Sequence, residues 1–337
     1  MATTTTAGVK HPREHFRIDY EEETTLGASG FGVVVKARHR VTGEDVAIKR
    51  VRYSDDDEEE EEGRTKQKQQ ARAEVMREAQ FLDACKGLPD MPIYSNTFLV
   101  GYHGLARDLA TLHLCLLMEF VAGPSLHAYL LAQRHQPLPE PTVRSLMWQL
   151  LTGARNMHAR RVVHRDIKPG NILLAGDHSS LKICDLGLAM FTKLPPPYAQ
   201  VGTMPYMAPE MLLGRTDYDE RVDTWSLGCV MAELILRRTL FEGDDNERSD
   251  DEEVGQLAAI FDVLGVPDSR TWRGFKSLPL AAEVTTKKLQ KQRRRNRLRD
   301  MFPEETLSKE GFQVLSGLLT TNPDKRLTAS TTSNHFR

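Results

Sequence analysis

Cysteine is scarce in this 337-residue sequence: Cys85, Cys115, Cys184 and Cys229 are far apart, with no Cys-x-x-Cys pair. Such spacing excludes a zinc ribbon or a disulfide framework and fits a reducing compartment. Long apolar runs are missing as well. None approaches the roughly 20 residues of a membrane span, and the N-terminus MATTTTAGVK lacks the apolar stretch of a secretory signal. Neither charge is in excess, since 45 basic against 47 acidic residues leave a formal net charge of −2. No global field therefore points to nucleic acid or to a membrane surface. The expectation is a soluble intracellular protein of the cytoplasm or nucleus, binding neither, with a monomer as the default state.

What is present changes along the chain. Residues 1–15 carry a threonine tract and mixed charge without periodicity and read as a mobile tail. From Phe16 to Lys49, β-branched runs broken by glycine turns predict hairpin strands. The acidic run from Asp55 to Glu62 predicts a solvated loop. A helical pattern follows from Arg64 through Val75, Phe81 and Leu82 to Cys85. Two further strands are expected at 97–101 and 112–121, and from Thr142 the pattern is mostly helical. A small β-rich part (16–121) and a larger α-rich part (122–337) thus meet near Ala122-Gly123-Pro124, an α+β organisation without internal repeats.

Five segments carry chemistry. Leu26, Gly27, Ala28, Ser29, Gly30, Phe31, Gly32, Val33 and Val34 form a glycine-rich turn between strands, where backbone amides can approach phosphate oxygens. Ser29 occupies the middle glycine position of the usual G-x-G-x-x-G. In Val46-Ala47-Ile48-Lys49, the strand lysine can reach phosphates if a carboxylate holds it, with Glu78 as the natural partner and Glu74 as the fallback. In His164-Arg165-Asp166-Ile167-Lys168-Pro169-Gly170-Asn171, Asp166 can accept a hydroxyl proton, Asn171 can hold Mg²⁺, and Lys168 can neutralise a moving phosphoryl group. Asp185, in Cys184-Asp185-Leu186-Gly187, supplies a second metal ligand a hairpin's length later. Finally, in the segment from Gly202 to Glu210, Thr203 is expected to bond Asp166 and Lys168. Glu210 needs a buried cation, with Arg326 of Asn322-Pro323-Asp324-Lys325-Arg326 the candidate.

Taken in order, these motifs resemble the eukaryotic protein kinase family from about Phe16 onward. The resemblance implies a bilobal fold with a small antiparallel sheet and one main helix in the N-lobe, a larger helical C-lobe, and Mg-ATP as cofactor. It implies adenine binding by the backbone of Glu119 and Val121, Met118 as gatekeeper, Ala47 and Leu173 in the nucleotide set, and Asp223 bracing the catalytic loop. The stretches Ile260 to Pro267, Thr271 to Phe275, Ser277-Leu278-Pro279, Leu298 to Pro303 and Leu315 to Leu319 resemble cyclin-dependent kinases, the plant F type being one candidate.

The departures from that branch are specific. Residues 72–78 read RAEVMRE where typical members read PSTAIRE, which leaves a cyclin partner open. Gly30-Phe31 replace the Thr-Tyr pair whose phosphorylation blocks ATP. Tyr198 aligns with the activating threonine, Met190 with one of its three arginine partners (Arg77 and Arg165 remain), Met207 with the arginine of proline-directed members, and Leu186 with phenylalanine. Activation through Tyr198, through Thr192 or without modification stays open. The reading is a serine/threonine kinase acting on protein substrates. A pseudokinase scaffold and a small-molecule phosphotransferase are the alternatives. The basic stretch 287–297 reads as an exposed helix or loop in a family insertion.

Overall fold

In a computed structural model the chain is described over residues 14–16, 19–29, 32–51, 61–86, 98–108, 114–133, 137–176, 179–242, 252–285 and 295–332. It divides into two compact units. The first holds the described residues up to Lys86 together with Val100–Phe120, and the second holds Phe98, Leu99 and the described residues from Val121 on.

The first unit is a six-stranded sheet beside one long helix. Its strands are β1 (Glu14–Phe16), β2 (Tyr20–Ser29), β3 (Gly32–His39), β4 (Asp45–Arg50), β5 (Tyr102–Arg107) and β6 (Leu114–Glu119), in the order β1-β5-β6-β4-β3-β2. All neighbours are antiparallel except β1, which runs parallel to β5. Alternate residues of the central strands point to one side, and Val35, Ala37, Val46, Ile48, Cys115 and Leu117 pack there with Ala106. The helix α1 (Glu61–Ala84) buries Ala71, Val75, Glu78, Ala79 and Leu82, a stripe at helical spacing.

Three expectations change here. Glu14 and His15, expected in the tail, belong to β1, with His15 opposite Ala106; main-chain pairing to a free sheet edge needs no side-chain pattern. Residues 1–13 lie outside the described residues. The strand expected at 97–101 is found at Tyr102–Arg107. Phe98, Leu99 and Val100 are buried and so read as strand, but Leu99 makes only an isolated bridge to Ile183, and Phe98 packs edge-on against Trp148 in the second unit. Finally, α1 starts at Glu61, so the last two residues of the acidic run are helical rather than loop. Acidic residues in a first helical turn are favoured by the helix dipole. Residues 55–60 are outside the described residues.

The second unit contains α2 (Leu126–Ala132), α3 (Glu140–Ala159), four short strands β7 (Val162–Val163), β8 (Ile172–Leu174), β9 (Leu181–Ile183) and β10 (Met190–Phe191), then α4 (Pro209–Leu212), α5 (Arg221–Leu236), α6 (Glu252–Leu264), α7 (Ala281–Val284), α8 (Leu298–Met301), α9 (Lys309–Leu318) and α10 (Ala329–Thr332). The strands pair as β8 with β9 and β7 with β10. Every residue of α5 from Val222 to Leu234 is buried. A helix buried on all sides forms the core of its unit, and α5 packs against both α3 and α9. Residues 287–294 of the basic stretch lie outside the described residues, while Arg295 pairs with Asp300 and Arg297 with Asp262. Among the described residues no helix is long and apolar enough to cross a membrane.

Candidate active site

In the first unit, β3 and β4 put the strand lysine opposite Val34. Lys49 Nζ lies 2.8 Å from Glu78 Oε2, with both side chains almost wholly buried. Glu78, on the buried stripe of α1, is therefore the partner, while Glu74 one turn earlier accepts from Gln70. In the glycine-rich turn the register sets Gly27 opposite Val34, Ala28 opposite Val33 and Ser29 opposite Gly32; Gly30 and Phe31 lie outside the described residues. Gly32 has φ +143°, and a Cβ there would stand 1.9 Å from the Arg50 carbonyl oxygen, so only glycine fits. A Cβ on Gly27 would meet nothing within 4 Å. Leu26 is half exposed. Met118 is buried opposite Ala47, and the Glu119 carboxylate accepts the Gly101 amide at 2.9 Å. Val121 and Leu173 belong to the second unit, both half-buried.

In the second unit, residues 164–171 hang on Asp223 of α5. Its carboxylate accepts the main-chain amides of His164 (2.9 Å) and Arg165 (2.8 Å) and the His158 ring (2.8 Å). Burial pushes this carboxyl up, but the His158 bond and the His164 amide outweigh it and hold it below the ordinary value. Arg165 has φ +69°, a conformation costing a non-glycine residue about 1–3 kcal/mol, and the charged bond to its amide offsets that cost. His164 Nδ1 accepts the Asp166 amide at 3.2 Å. The ring proton therefore sits on Nε2, which donates to the Cys184 carbonyl at 3.0 Å.

Three side chains converge on the Asp166 carboxylate. Thr203 Oγ1 donates to Oδ1 at 2.6 Å, while Lys168 Nζ lies 2.9 Å and Asn171 Nδ2 3.0 Å from Oδ2. Lys168 also donates to Thr203 Oγ1 at 2.6 Å, so the expected contacts of Thr203 with both residues are present. The amide of Cys184 donates to the Asn171 carbonyl at 2.9 Å, and β8 and β9 align Ile172 with Ile183. This brings Asn171 and Asp185 to the same end of one hairpin, with Asp185 at φ +63°. Farther on, Glu210 forms a two-pronged pair with Arg326 at 2.6 and 2.7 Å, both side chains fully buried.

The donor set suits Mg²⁺ and a polyphosphate. Both hydrogens of Asn171 Nδ2 are engaged by Asp166, at 2.9 Å to the carbonyl and 3.0 Å to Oδ2. What this amide has left to offer is its oxygen, a hard-cation ligand like the Asp185 carboxylate. Among the described residues no group of three or more His, Cys, Asp or Glu could hold a metal alone. An ion that keeps waters and phosphate oxygens as its other ligands needs no such group.

Sequence reasoning missed His158, Tyr218 and Glu233. His158 reaches Asp223 across 65 positions, a separation with no local signal. Tyr218 accepts from the Arg165 guanidinium at 3.0 Å and donates to the Ala199 carbonyl. Glu233 accepts from the Tyr206 hydroxyl at 2.7 Å, and burial pushes its carboxyl above the ordinary value. Its signal was a charged residue inside the otherwise apolar second half of α5.

Comparison with known proteins agrees with this geometry. A family model described as "Protein kinase domain" matches residues 20–336. The chain is 42% identical over 315 residues to "Putative cyclin-dependent kinase F-2" of Oryza sativa subsp. japonica, covering 92% of this chain and 87% of that protein. It is 35% identical to "Cyclin-dependent kinase G-1" of Oryza sativa subsp. indica and 34% identical to "Cyclin-dependent kinase G1" of Arabidopsis thaliana, spanning 42% and 48% of those longer proteins. The chain belongs to the protein kinase family, as a cyclin-dependent-kinase-like member with serine/threonine kinase activity.

Proposed function

We propose that this kinase transfers the γ-phosphoryl group of ATP to a serine or threonine hydroxyl of a protein, with Asp166 as the group that receives the hydroxyl proton. The observation that carries the assignment is the convergence of Thr203, Lys168 and Asn171 on the Asp166 carboxylate. Such a cage holds a carboxylate in one orientation, which a proton acceptor requires. Lys49, fixed by Glu78, is the cation for the nucleotide phosphates. Nucleotide contacts are assigned to the turn from Leu26 to Val34, Ala47, Met118 and Glu119 in the first unit and to Val121 and Leu173 in the second. Asn171 and Asp185 are the residues that would hold Mg²⁺, which when bound would offset the negative charge of the nucleotide phosphates.

In the step itself, the acceptor oxygen bonds to the γ-phosphorus as the bridging P–O bond to ADP breaks, and the hydroxyl proton passes to Asp166. Lys168, already against Asp166, offsets negative charge on the moving group. The sequence keeps every one of these residues, which argues against a scaffold that has lost turnover. The platform from Thr203 to Glu210 argues against a small-molecule acceptor, because Thr203 ties it to Asp166 and the buried Glu210–Arg326 pair anchors its far end. As for partners, the exposed face of α1 carries Arg72, Ala73, Arg77 and Gln80. This supports a docking surface unlike that of a PSTAIRE helix. Replacing Asp166 by Asn should lower kcat on a generic basic protein substrate by about 10²–10⁴, with ATP binding retained. Unchanged phosphotransfer in that variant would refute the assignment.

A further inference from the structure

Among the described residues, the Arg165 guanidinium is held by neutral oxygens of its own unit. Its Nε donates to the Leu188 carbonyl at 2.7 Å, and one Nη donates to the Tyr218 hydroxyl at 3.0 Å and to the Ala199 carbonyl at 3.4 Å. Tyr218 is buried and its hydroxyl works in both directions, accepting from Arg165 and donating to Ala199. Leu188 lies near the start and Ala199 near the middle of the segment from Asp185 to Glu210, so one guanidinium and one phenol clasp its first half. Because the Arg165 main chain is pinned by Asp223, the guanidinium is a fixed post rather than a wandering surface cation.

The neighbouring residue that aligns with an activating phosphorylation site is also tied down. Tyr198 donates its amide to Thr216 O at 2.8 Å and its hydroxyl to Leu194 O at 2.7 Å, and its ring packs edge-on against Tyr218 at 5.4 Å. Met190, aligned with a phosphate-binding arginine, is buried in β10 opposite Val163. A phosphate brings about −1.5 to −2 charges and orders a loop by gathering cations. The second unit presents an apolar side chain and an arginine already coordinated. Burial keeps the Tyr218 phenol protonated, outweighing the pull of Arg165.

We propose that Tyr218 is a positioning residue for phosphotransfer. Its hydroxyl fastens the loop between Leu188 and Ala199 to Arg165, and through it the Thr203 platform to Asp166, so that the segment takes its working form without modification of Tyr198. The proposal rests on the assignment of Asp166 and Thr203 above. Tyr218→Phe keeps the ring against Tyr198 and removes only the clasp.

The test compares phosphatase-treated wild-type protein with Tyr218→Phe in peptide kinetics, thermal unfolding and amide hydrogen exchange over residues 188–203. The wild type should keep kcat/KM within about twofold after phosphatase treatment. Tyr218→Phe should lose about tenfold in kcat/KM for the protein substrate, the scale of one hydrogen bond to a charged group. Its KM for ATP and its unfolding midpoint should stay near wild type, while exchange at 188–203 speeds up. A purely structural role would lower the midpoint and leave exchange at 188–203 no faster than elsewhere, and would overturn the proposal. So would a tenfold loss of wild-type activity on dephosphorylation, or wild-type exchange and kinetics in Tyr218→Phe. If the wild type transfers no phosphate at all, the functional assignment fails, and the exchange comparison still decides whether the clasp exists.

Discussion

Residues 164–171 and residues 185–210 share the second unit and touch through Thr203 and Asp166, yet they are fastened by different means. The first stretch hangs from a fully buried carboxylate, Asp223, which takes two main-chain amides and a histidine ring. The second has a buried ion pair at its far end, Glu210–Arg326, and its middle is held by single hydrogen bonds of Leu188, Tyr198, Ala199 and Thr203, made partly to the side chains of Arg165, Asp166 and Lys168. Hydrogen bonds to charged groups are worth roughly twice those between neutral ones. Under the proposed function, the part that must hold one geometry has the fully buried carboxylate anchor, and the part proposed to meet protein substrates is held by the single bonds.

The sharpest way to break this contrast is to remove the charged anchor of the catalytic loop. Asp223→Ala strands the amides of His164 and Arg165 and the His158 ring in the core. Each orphaned donor costs about 1–3 kcal/mol, so the loss should reach roughly 4–6 kcal/mol in a denaturant titration, with activity abolished. The anchor also has a pH signature. Its folded carboxyl lies below the ordinary 3.8, so its contribution is complete above that value and is lost as pH falls below it. Asp223→Asn should flatten that acid limb of the stability profile, and an unchanged acid limb would show that the carboxylate is not the anchor.

Next in size is the ion-paired end of residues 185–210. Glu210→Gln leaves the Arg326 guanidinium uncompensated beside Trp225, with only the carbonyls of Thr320, Thr321 and Arg221 around it. Breaking a buried pair from one side costs about 3–5 kcal/mol. Because glutamine retains one acceptor, the low end, about 3 kcal/mol, is expected in the same titration. Loss of substrate turnover without loss of stability would contradict the anchoring role.

How much of this was readable beforehand follows from separation along the chain. The segment His164 to Asn171 was legible because its chemistry sits within eight consecutive residues, and Glu78 because a helix must place it on the face toward the lysine strand. The Glu210–Arg326 pair, 116 positions apart, was anticipated from the need of a buried carboxylate for a cation rather than from any local pattern. Tyr218 and His158 carried no signal, since a hydroxyl and an imidazole are common surface groups whose burial is decided by packing. The misplaced strand at 97–101 has the same origin: three buried apolar residues look alike whether a sheet or a helix covers them.

The smallest effect tests the hydroxyl that links the two stretches. Thr203→Val keeps the shape of the side chain but removes the hydroxyl that donates to Asp166 and accepts from Lys168. Lys168 and Asn171 still hold Oδ2, so the carboxylate should pivot rather than detach. A bond to a charged group is worth about 1.5–3 kcal/mol, and with the carboxylate still held the low end is expected, roughly tenfold in kcat, with stability within about 1.5 kcal/mol of wild type. Thr203→Ser, which keeps the hydroxyl, should restore most of the rate. If valine keeps the wild-type rate while serine loses it, the methyl group rather than the hydroxyl orients the platform, and the hydrogen-bonded link fails at the point where the two stretches meet.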